Sequence, residues 1–154
     1  MNVVTASTNR SCAVLLLALA LGSLSCVERH PTEPRVPEHR MEEAHSWQAP
    51  FGDARQAQPE IVTEGKKLYE GKGSCVLCHG IEGKGDGPAA HMHRPHAPRN
   101  FTDCQFQKAR TDGELFWIIK YGSPGTGMVP LVPGTLSEEE AWKLVAYVRT
   151  FCRT

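Results

Sequence analysis

The sequence lacks a surplus of charge of either sign, because 17 lysines and arginines are balanced by 17 aspartates and glutamates. A chain without a net field gives no electrostatic reason to expect nucleic acid or a strongly acidic partner. The sequence also lacks an internal repeat, and no stretch alternates apolar and polar residues as a half-buried strand does. These absences argue against nucleic-acid binding, a repeat array and a β-sheet domain, and they leave an all-α domain as the expected fold class.

No apolar run is long enough for a comfortable membrane span. The longest, residues 12–24, has 13 residues, whereas a spanning helix needs about 20. With Arg10 before it, the run is typical of a signal peptide covering residues 1–26. "LSC" at the end of this segment resembles a bacterial lipoprotein cleavage site, which makes Cys26 the expected lipid attachment point. Simple signal cleavage and an uncleaved anchor stay open, and all three predict export to the periplasmic side of a bacterial membrane.

Apolar periodicity is missing from residues 27–58, where charged residues, proline and glutamine dominate. Such a composition buries too little apolar surface to offset the entropy lost when the chain becomes ordered. We therefore predict a flexible tether between the anchor and the following domain. Trp47 and Phe51 are exceptions. They are expected either to pack on the domain or on a partner, or to stay partly exposed in a loop.

Three helices are predicted in the remaining domain, residues 59–154. The first, 59–71, begins with a proline and ends with a glycine. The second, 111–122, and the third, 137–152, each open with a capping box. A long loop rich in glycine, proline and histidine, 80–110, follows the first helix. Three modest helices bury too little surface for a free-standing core. We therefore expect a large apolar cofactor at the centre of the domain.

The stretch "CVLCH", residues 75–79, combines two thiols with an imidazole. On a helical turn, residues i, i+3 and i+4 share one face, so Cys75, Cys78 and His79 project together. This spacing is the attachment signature of a c-type haem, in which the thiols add to the porphyrin and the imidazole reaches the iron. A zinc corner would need a second ligand pair, and a thioredoxin-like dithiol would need a βαβ setting. The single motif favours one covalent haem over a zinc site and over a redox dithiol.

These residues give the chain a likeness to a known family. Over about residues 60–152 it resembles the bacterial class I, single-haem cytochromes c, through "CVLCHG", "GKGDGPAA", "NFTD", "TDGELFWIIKYG", "GTGMVP" and the final amphipathic helix. The resemblance implies an all-α class I cytochrome c fold, with three main helices and long loops around one haem c. It also implies that Cys75 and Cys78 hold the porphyrin and that His79 is the proximal iron ligand. Pro88 would offer its backbone carbonyl to the other ring nitrogen of that ligand.

The sixth ligand implied by the resemblance is Met128, in the glycine- and proline-rich loop between the second and third helices. A thioether opposite an imidazole raises the reduction potential of the iron. The alternative to an iron ligand is a structural methionine that fills a gap in the core. Other candidate ligands stand in the loop 91–99, namely His91, Met92, His93 and His96. In the same loop, Arg94 or Arg99 is expected near the haem propionates.

Two further cysteines, Cys104 and Cys152, remain after haem attachment and lipidation are counted. An exported pair left over by parity favours a disulfide, and two buried free thiols are the alternative. Such a bond would tie the loop before the second helix to the end of the third.

The function implied by the resemblance is that of a single-electron carrier and not of an enzyme, since two protein ligands leave the iron no open position. Two alternatives stay open. One is a fixed haem subunit of a larger respiratory or dehydrogenase complex, and the other is a haem enzyme that binds a small ligand at an open iron. The expected partners are redox proteins in transient contacts and the membrane, through lipid on Cys26. We expect a monomer.

Overall fold

The computed structural model describes residues 32–93 and 96–152. The predicted signal peptide, Cys26 and Arg94 therefore lie outside the described residues. Within the described ranges, no helix is both long enough and apolar enough to cross a bilayer.

The described part of the chain folds into helices and loops, without a strand. Its α-helices are α1 (Met41–Ser46), α2 (Pro59–Glu70), α3 (Val76–His79), α4 (Cys104–Ala109), α5 (Asp112–Tyr121) and α6 (Glu138–Arg149). Short 3-10 helices cover Glu38–Arg40, Ala54–Gln56 and Ala90–His93. The predicted all-α fold class is confirmed.

The three predicted helices correspond to α2, α5 and α6, and the capping residues form the predicted bonds. Thr111 Oγ1 accepts from the Glu114 amide at the start of α5, while the Glu114 carboxylate accepts from the Thr111 amide. Ser137 and Glu140 form the same reciprocal pair at the start of α6. These bonds satisfy amides that have no partner inside the helix, which explains why both starts were predictable.

The first and last main helices cross at close range. A Cβ atom on Gly65 of α2 would lie 2.1 Å from the Lys143 carbonyl oxygen of α6, so only glycine fits at this crossing. One turn later, the fully buried Tyr69 packs edge-on against Tyr147 with ring centroids 5.2 Å apart. Its hydroxyl donates to the Gly80 carbonyl at 2.7 Å. The crossing is thereby tied to the turn that follows α3.

A disulfide joins Cys104 at the start of α4 to Cys152 after α6, with Cα atoms 5.3 Å apart. The predicted pairing is confirmed. Beside it, the buried Arg149 side chain donates to Asp112 and to the carbonyl of Gln107. The covalent bond and these charge-assisted hydrogen bonds hold α4 and the start of α5 against the last helix.

Residues 32–56, called the N-terminal arm below, pack on the domain. Ala44 of α1 is 0% exposed, and a Cβ atom on Gly113 of α5 would lie 1.9 Å from its carbonyl oxygen. Trp47 stacks edge-on against Phe116 at 5.3 Å between ring centroids. The structure thus differs from the flexible tether predicted for this segment. The average polarity of the arm hides a few small and aromatic residues that fit closely against α5.

Candidate haem site

A cavity of about 490 Å³ opens at the centre of the domain. A volume of this size is typical of small-molecule and cofactor sites. Its walls are mainly apolar and include Phe106, Leu115, Ile118, Ile119, Leu144 and Val148. These residues come from α4, α5 and α6, so three helices direct apolar side chains towards one space. The core predicted to be incomplete without a large apolar group therefore contains the room for one.

The short helix α3 brings the two thiols and the imidazole to one edge of this cavity. Cys75, Cys78 and His79 all border it. The His79 amide donates to the Cys75 carbonyl at 2.8 Å, which closes the helical turn. Neither cysteine is in a disulfide, and desolvation by burial raises the pKa of the Cys75 thiol to about 12. The three side chains predicted to act together thus meet in one place.

The His79 ring has a defined tautomer. Its Nδ1 atom lies 3.1 Å from the Arg99 carbonyl oxygen. A carbonyl can only accept, so Nδ1 donates and Nε2 keeps a lone pair. Desolvation lowers the pKa of His79 to about 4; the bond to Arg99 opposes this shift and the charge of Arg35 adds to it. The ring also stacks on Phe101, with centroids 4.3 Å apart. His79 is therefore neutral at pH 7 and fixed in the form that binds a metal.

The carbonyl partner of His79 differs from the one predicted. Pro88 is exposed and does not border the cavity, whereas Arg99 supplies the carbonyl. The loop that contains Pro88 bonds instead to the backbone of α3. The Gly87 amide donates to the Cys78 carbonyl at 3.1 Å, and the Ala89 amide donates to the Leu77 carbonyl at 2.8 Å. The neighbours of Pro88 thus hold the loop against α3, and Arg99, 20 residues after His79, orients the ring.

Met128 borders the cavity together with these groups. The Ser123 amide donates to its carbonyl at 2.8 Å, and its own amide donates to Thr126 Oγ1 at 3.2 Å. At Gly122, with φ of 77°, a Cβ atom would lie 2.6 Å from the Met128 carbonyl oxygen. The glycine is required both by its left-handed conformation and by this close approach. The loop is thereby folded tightly around the methionine backbone.

The loop of histidines contributes two of its four candidate ligands. Met92 and His93 border the cavity, while His91 and His96 are absent from its described walls. The His93 ring lies against Gly127, where a Cβ atom would be 2.0 Å from Nδ1. Met92 is 65% exposed. Among the candidates in this loop, His93 is therefore the main alternative to Met128 as the sixth iron ligand.

Sequence reasoning missed an ion pair at the same cavity. Arg110 and Glu114 border it, with Arg110 Nη1 2.6 Å from Glu114 Oε1 and side chains only 14% and 4% exposed. Arg35 of the N-terminal arm is a third unpredicted charged neighbour. The i, i+4 spacing of Arg110 and Glu114 could have predicted the pair from the sequence. Nothing in the sequence indicates that the pair borders the cavity.

Comparisons with known proteins agree with this site. The family model described as "Cytochrome C oxidase, cbb3-type, subunit III" matches residues 60–148. Cytochrome c-551 of Pseudomonas aeruginosa is 32% identical over 96 residues, which cover 60% of this chain and 81% of that protein. The chain belongs to the c-type cytochrome family. Electron transfer through a c-type haem is the general function of this family.

Two solved structures are similar to this cytochrome. One is a chain of the "Kuenenia stuttgartiensis reducing HAO-like protein complex Kustc0457/Kustc0458", with a TM-score of 0.58 and 30% identity over 72% of this chain. The cytochrome spans 55% of that neighbour's length. The other, "KustC0563 c-type cytochrome", has a TM-score of 0.48 and 30% identity, covering 58% of this chain and 98% of that one.

The family and the cavity agree on the cofactor. The class I cytochrome c fold and one covalently bound haem c, both predicted from sequence, are confirmed by the family of the chain and the helical architecture. The residues present fit this group. The cavity is mainly apolar, its edge carries two thiols at the attachment spacing, and a neutral imidazole with a lone pair stands beside them.

Proposed function

We propose that this cytochrome is a single-electron carrier in which Cys75 and Cys78 attach the haem and His79 and Met128 are the axial ligands. The observation that carries the proposal is that these four side chains border one cavity. When bound, haem c supplies an iron that gains and releases one electron, at a potential raised by thioether ligation. With both axial positions taken by protein, no site is left for a substrate.

The protein's part in this function is to hold two ligands in place. The Arg99 carbonyl accepts the Nδ1 proton of His79, which fixes the ring and raises its basicity. In the loop of Met128, the bonds from Ser123 and to Thr126 hold the Met128 backbone. Ligands that are already in position need little rearrangement when the charge of the iron changes, as an electron carrier requires.

An exposed apolar edge supports the proposal of transient redox partners. Leu77, Met92 and Val129 border the cavity and are 50%, 65% and 60% exposed. An apolar edge of this kind suits brief contact with another redox protein, in the class of small and weak interfaces. We further propose a monomer that is exported and held at the membrane through lipid on Cys26. Intact-mass measurement of the mature protein tests the lipid.

A fixed subunit of a larger complex is the second candidate, favoured by the fact that one structural neighbour is part of a complex. Purification from the native membrane in mild detergent separates the two. A stoichiometric subunit co-purifies with its complex, whereas a shuttle elutes alone.

The full-length protein, expressed with export, tests the proposed site. We expect the haem to stay with the polypeptide after acid acetone extraction. We also expect the ferrous protein to take up carbon monoxide slowly, because Met128 occupies the sixth position. Rapid uptake by the wild-type protein would show an open iron and would replace the carrier with a small-ligand haem enzyme.

A further inference from the structure

Gln107 of α4 is a buried polar side chain that the proposed function does not use. It is 3% exposed and does not border the cavity. Its Nε2 atom donates to the Phe101 carbonyl at 2.9 Å and to the Val148 carbonyl of α6 at 3.0 Å. Its Oε1 atom accepts from Arg149 Nη1 at 2.9 Å. Both protons and the oxygen of the amide are thus used, and the side chain bridges the last helix and the segment before α4.

This bridge fixes the main chain of Phe101. The Phe101 amide donates to the Gly83 carbonyl at 2.7 Å, and the Phe101 carbonyl accepts from Gln107. Because one bond uses the amide and the other uses the carbonyl, the peptide units before and after Phe101 are both anchored. Only the second anchor depends on a side chain, so a substitution at Gln107 can remove it.

Phe101 belongs to the segment that orients His79. Its ring is stacked on the His79 ring, with centroids 4.3 Å apart and planes 14° from parallel. Two residues earlier, Arg99 borders the cavity, and its carbonyl accepts from His79 Nδ1 at 3.1 Å. A shift of this segment would therefore disturb both contacts that fix the imidazole.

We propose that Gln107 is a positioning residue for the proximal ligand and that it acts through Phe101. The proposal rests on the proposed function, in which His79 is that ligand. A hydrogen bond from Nδ1 raises the basicity of the imidazole, and a more basic ligand stabilises ferric iron. Loss of the Gln107 donor should therefore weaken the Nδ1 bond and raise the midpoint potential.

The decisive variant of the full-length holoprotein is Gln107→Met, which keeps the length of the side chain and removes the donor. The readouts are the chemical shift of the His79 Nδ1 proton in the ferrous protein and the midpoint potential at one pH. We expect the proton resonance to move upfield, because its hydrogen bond is weaker, and the potential to rise. Gln107→Asn, an amide one methylene shorter, should change both in the same direction, and it decides the test if Gln107→Met yields no holoprotein.

The disulfide provides the matched control. Cys104→Ser/Cys152→Ser also removes a link between α4 and the end of α6, and it lowers stability, but it keeps the Gln107 bridge. Neither readout should move in this variant, since both describe the folded protein and not its free energy of unfolding. If Gln107 only held α4 against α6, the disulfide variant would respond in the same way as the Gln107 variants.

Each outcome decides the proposal. An upfield proton resonance and a higher potential in the Gln107 variants, both absent from the disulfide variant, support it. An unchanged proton resonance overturns it, even if the potential moves, because such a move reports polarity and not the orientation of the ring. An equal response of the disulfide variant also overturns it. Failure of the proposed axial ligation is a separate result, which would appear in the spectrum of the wild-type protein.

Discussion

The two walls of the haem site are built in different ways. On the side of His79, the short helix α3 and its N-cap residue Cys75 supply both thiols and the imidazole. The ring is stacked on Phe101 and bonded to a backbone carbonyl. On the side of Met128, the proposed ligand lies in a loop beside His93 and an exposed Val129. The first wall has one candidate ligand and the second has several. We infer that attachment depends on the first wall, whereas potential and reactivity depend on the second.

The largest effect is expected from His79→Ala. Loss of the ring removes the proposed proximal ligand, and haem content after export should fall about tenfold or more, because losing even a hydrogen-bond partner of a metal ligand costs about tenfold in metal affinity. Haem absorbance per protein measures it. Pro88→Ala is the control and should keep the wild-type content and spectrum, since Pro88 is exposed and away from the cavity. An equal loss of haem in both variants would contradict the finding that Arg99, and not Pro88, supplies the carbonyl partner of His79.

Met128→Ala should change the chemistry and keep the haem. We expect normal covalent haem content, a lower reduction potential, and carbon monoxide uptake faster than in the wild-type protein, because the thioether ligand is gone. Stopped-flow mixing and a redox titration measure these quantities. Met92→Ala is the control, being a methionine of the same cavity wall that is 65% exposed. If Met92→Ala gave the change and Met128→Ala did not, the two assignments would have to be exchanged.

His93 provides a finer test of the second wall. Its ring lies next to Gly127, one residue from Met128, so it is the alternative ligand that we test. We expect His93→Ala to speed carbon monoxide uptake further in the Met128→Ala protein and to change little in the wild-type background. His91→Ala, at a residue outside the described cavity walls, is the matched control. Identical rates with and without His93 would show that the imidazole does not reach the iron.

The smallest effect is expected from Gly127→Ala. The new methyl group would lie 2.0 Å from His93 Nδ1, so the imidazole has to move, at a cost of about 1 kcal/mol in the free energy of unfolding. Denaturant unfolding measures it. Gly134→Ala, with nothing within 4 Å of the new atom, should stay within about 0.5 kcal/mol of the wild-type value. If Gly127→Ala also lost the methionine ligand, the hydrogen bonds of the Met128 loop would be too weak to hold that residue in place.

Local patterns in the sequence were enough for the first wall and the main helices. Cys75, Cys78 and His79 act within one helical turn, so their spacing alone predicts that they meet. The boxes at Thr111 and Ser137 likewise involve only neighbours along the chain. The pairing of Cys104 with Cys152 followed from parity, although the two are 48 residues apart.

Contacts that depend on the return of the chain were not predictable. Arg99 is 20 residues from His79, and no spacing rule links a backbone carbonyl to a ring at that distance. The packing of Ala44 on Gly113 could likewise not be predicted from composition, because small residues add little to the hydrophobicity of a segment. It is the close approach of two backbones that orders the arm.

The absorption spectrum of the ferric protein at long wavelength tests the central claim most directly. A sulfur-to-iron charge-transfer band reports a thioether on the iron. We predict this band in the wild-type holoprotein and its loss in Met128→Ala, with covalent haem retained in both. A wild-type spectrum without the band, or a band that survives in Met128→Ala, would contradict a site in which His79 and Met128 hold the iron between them.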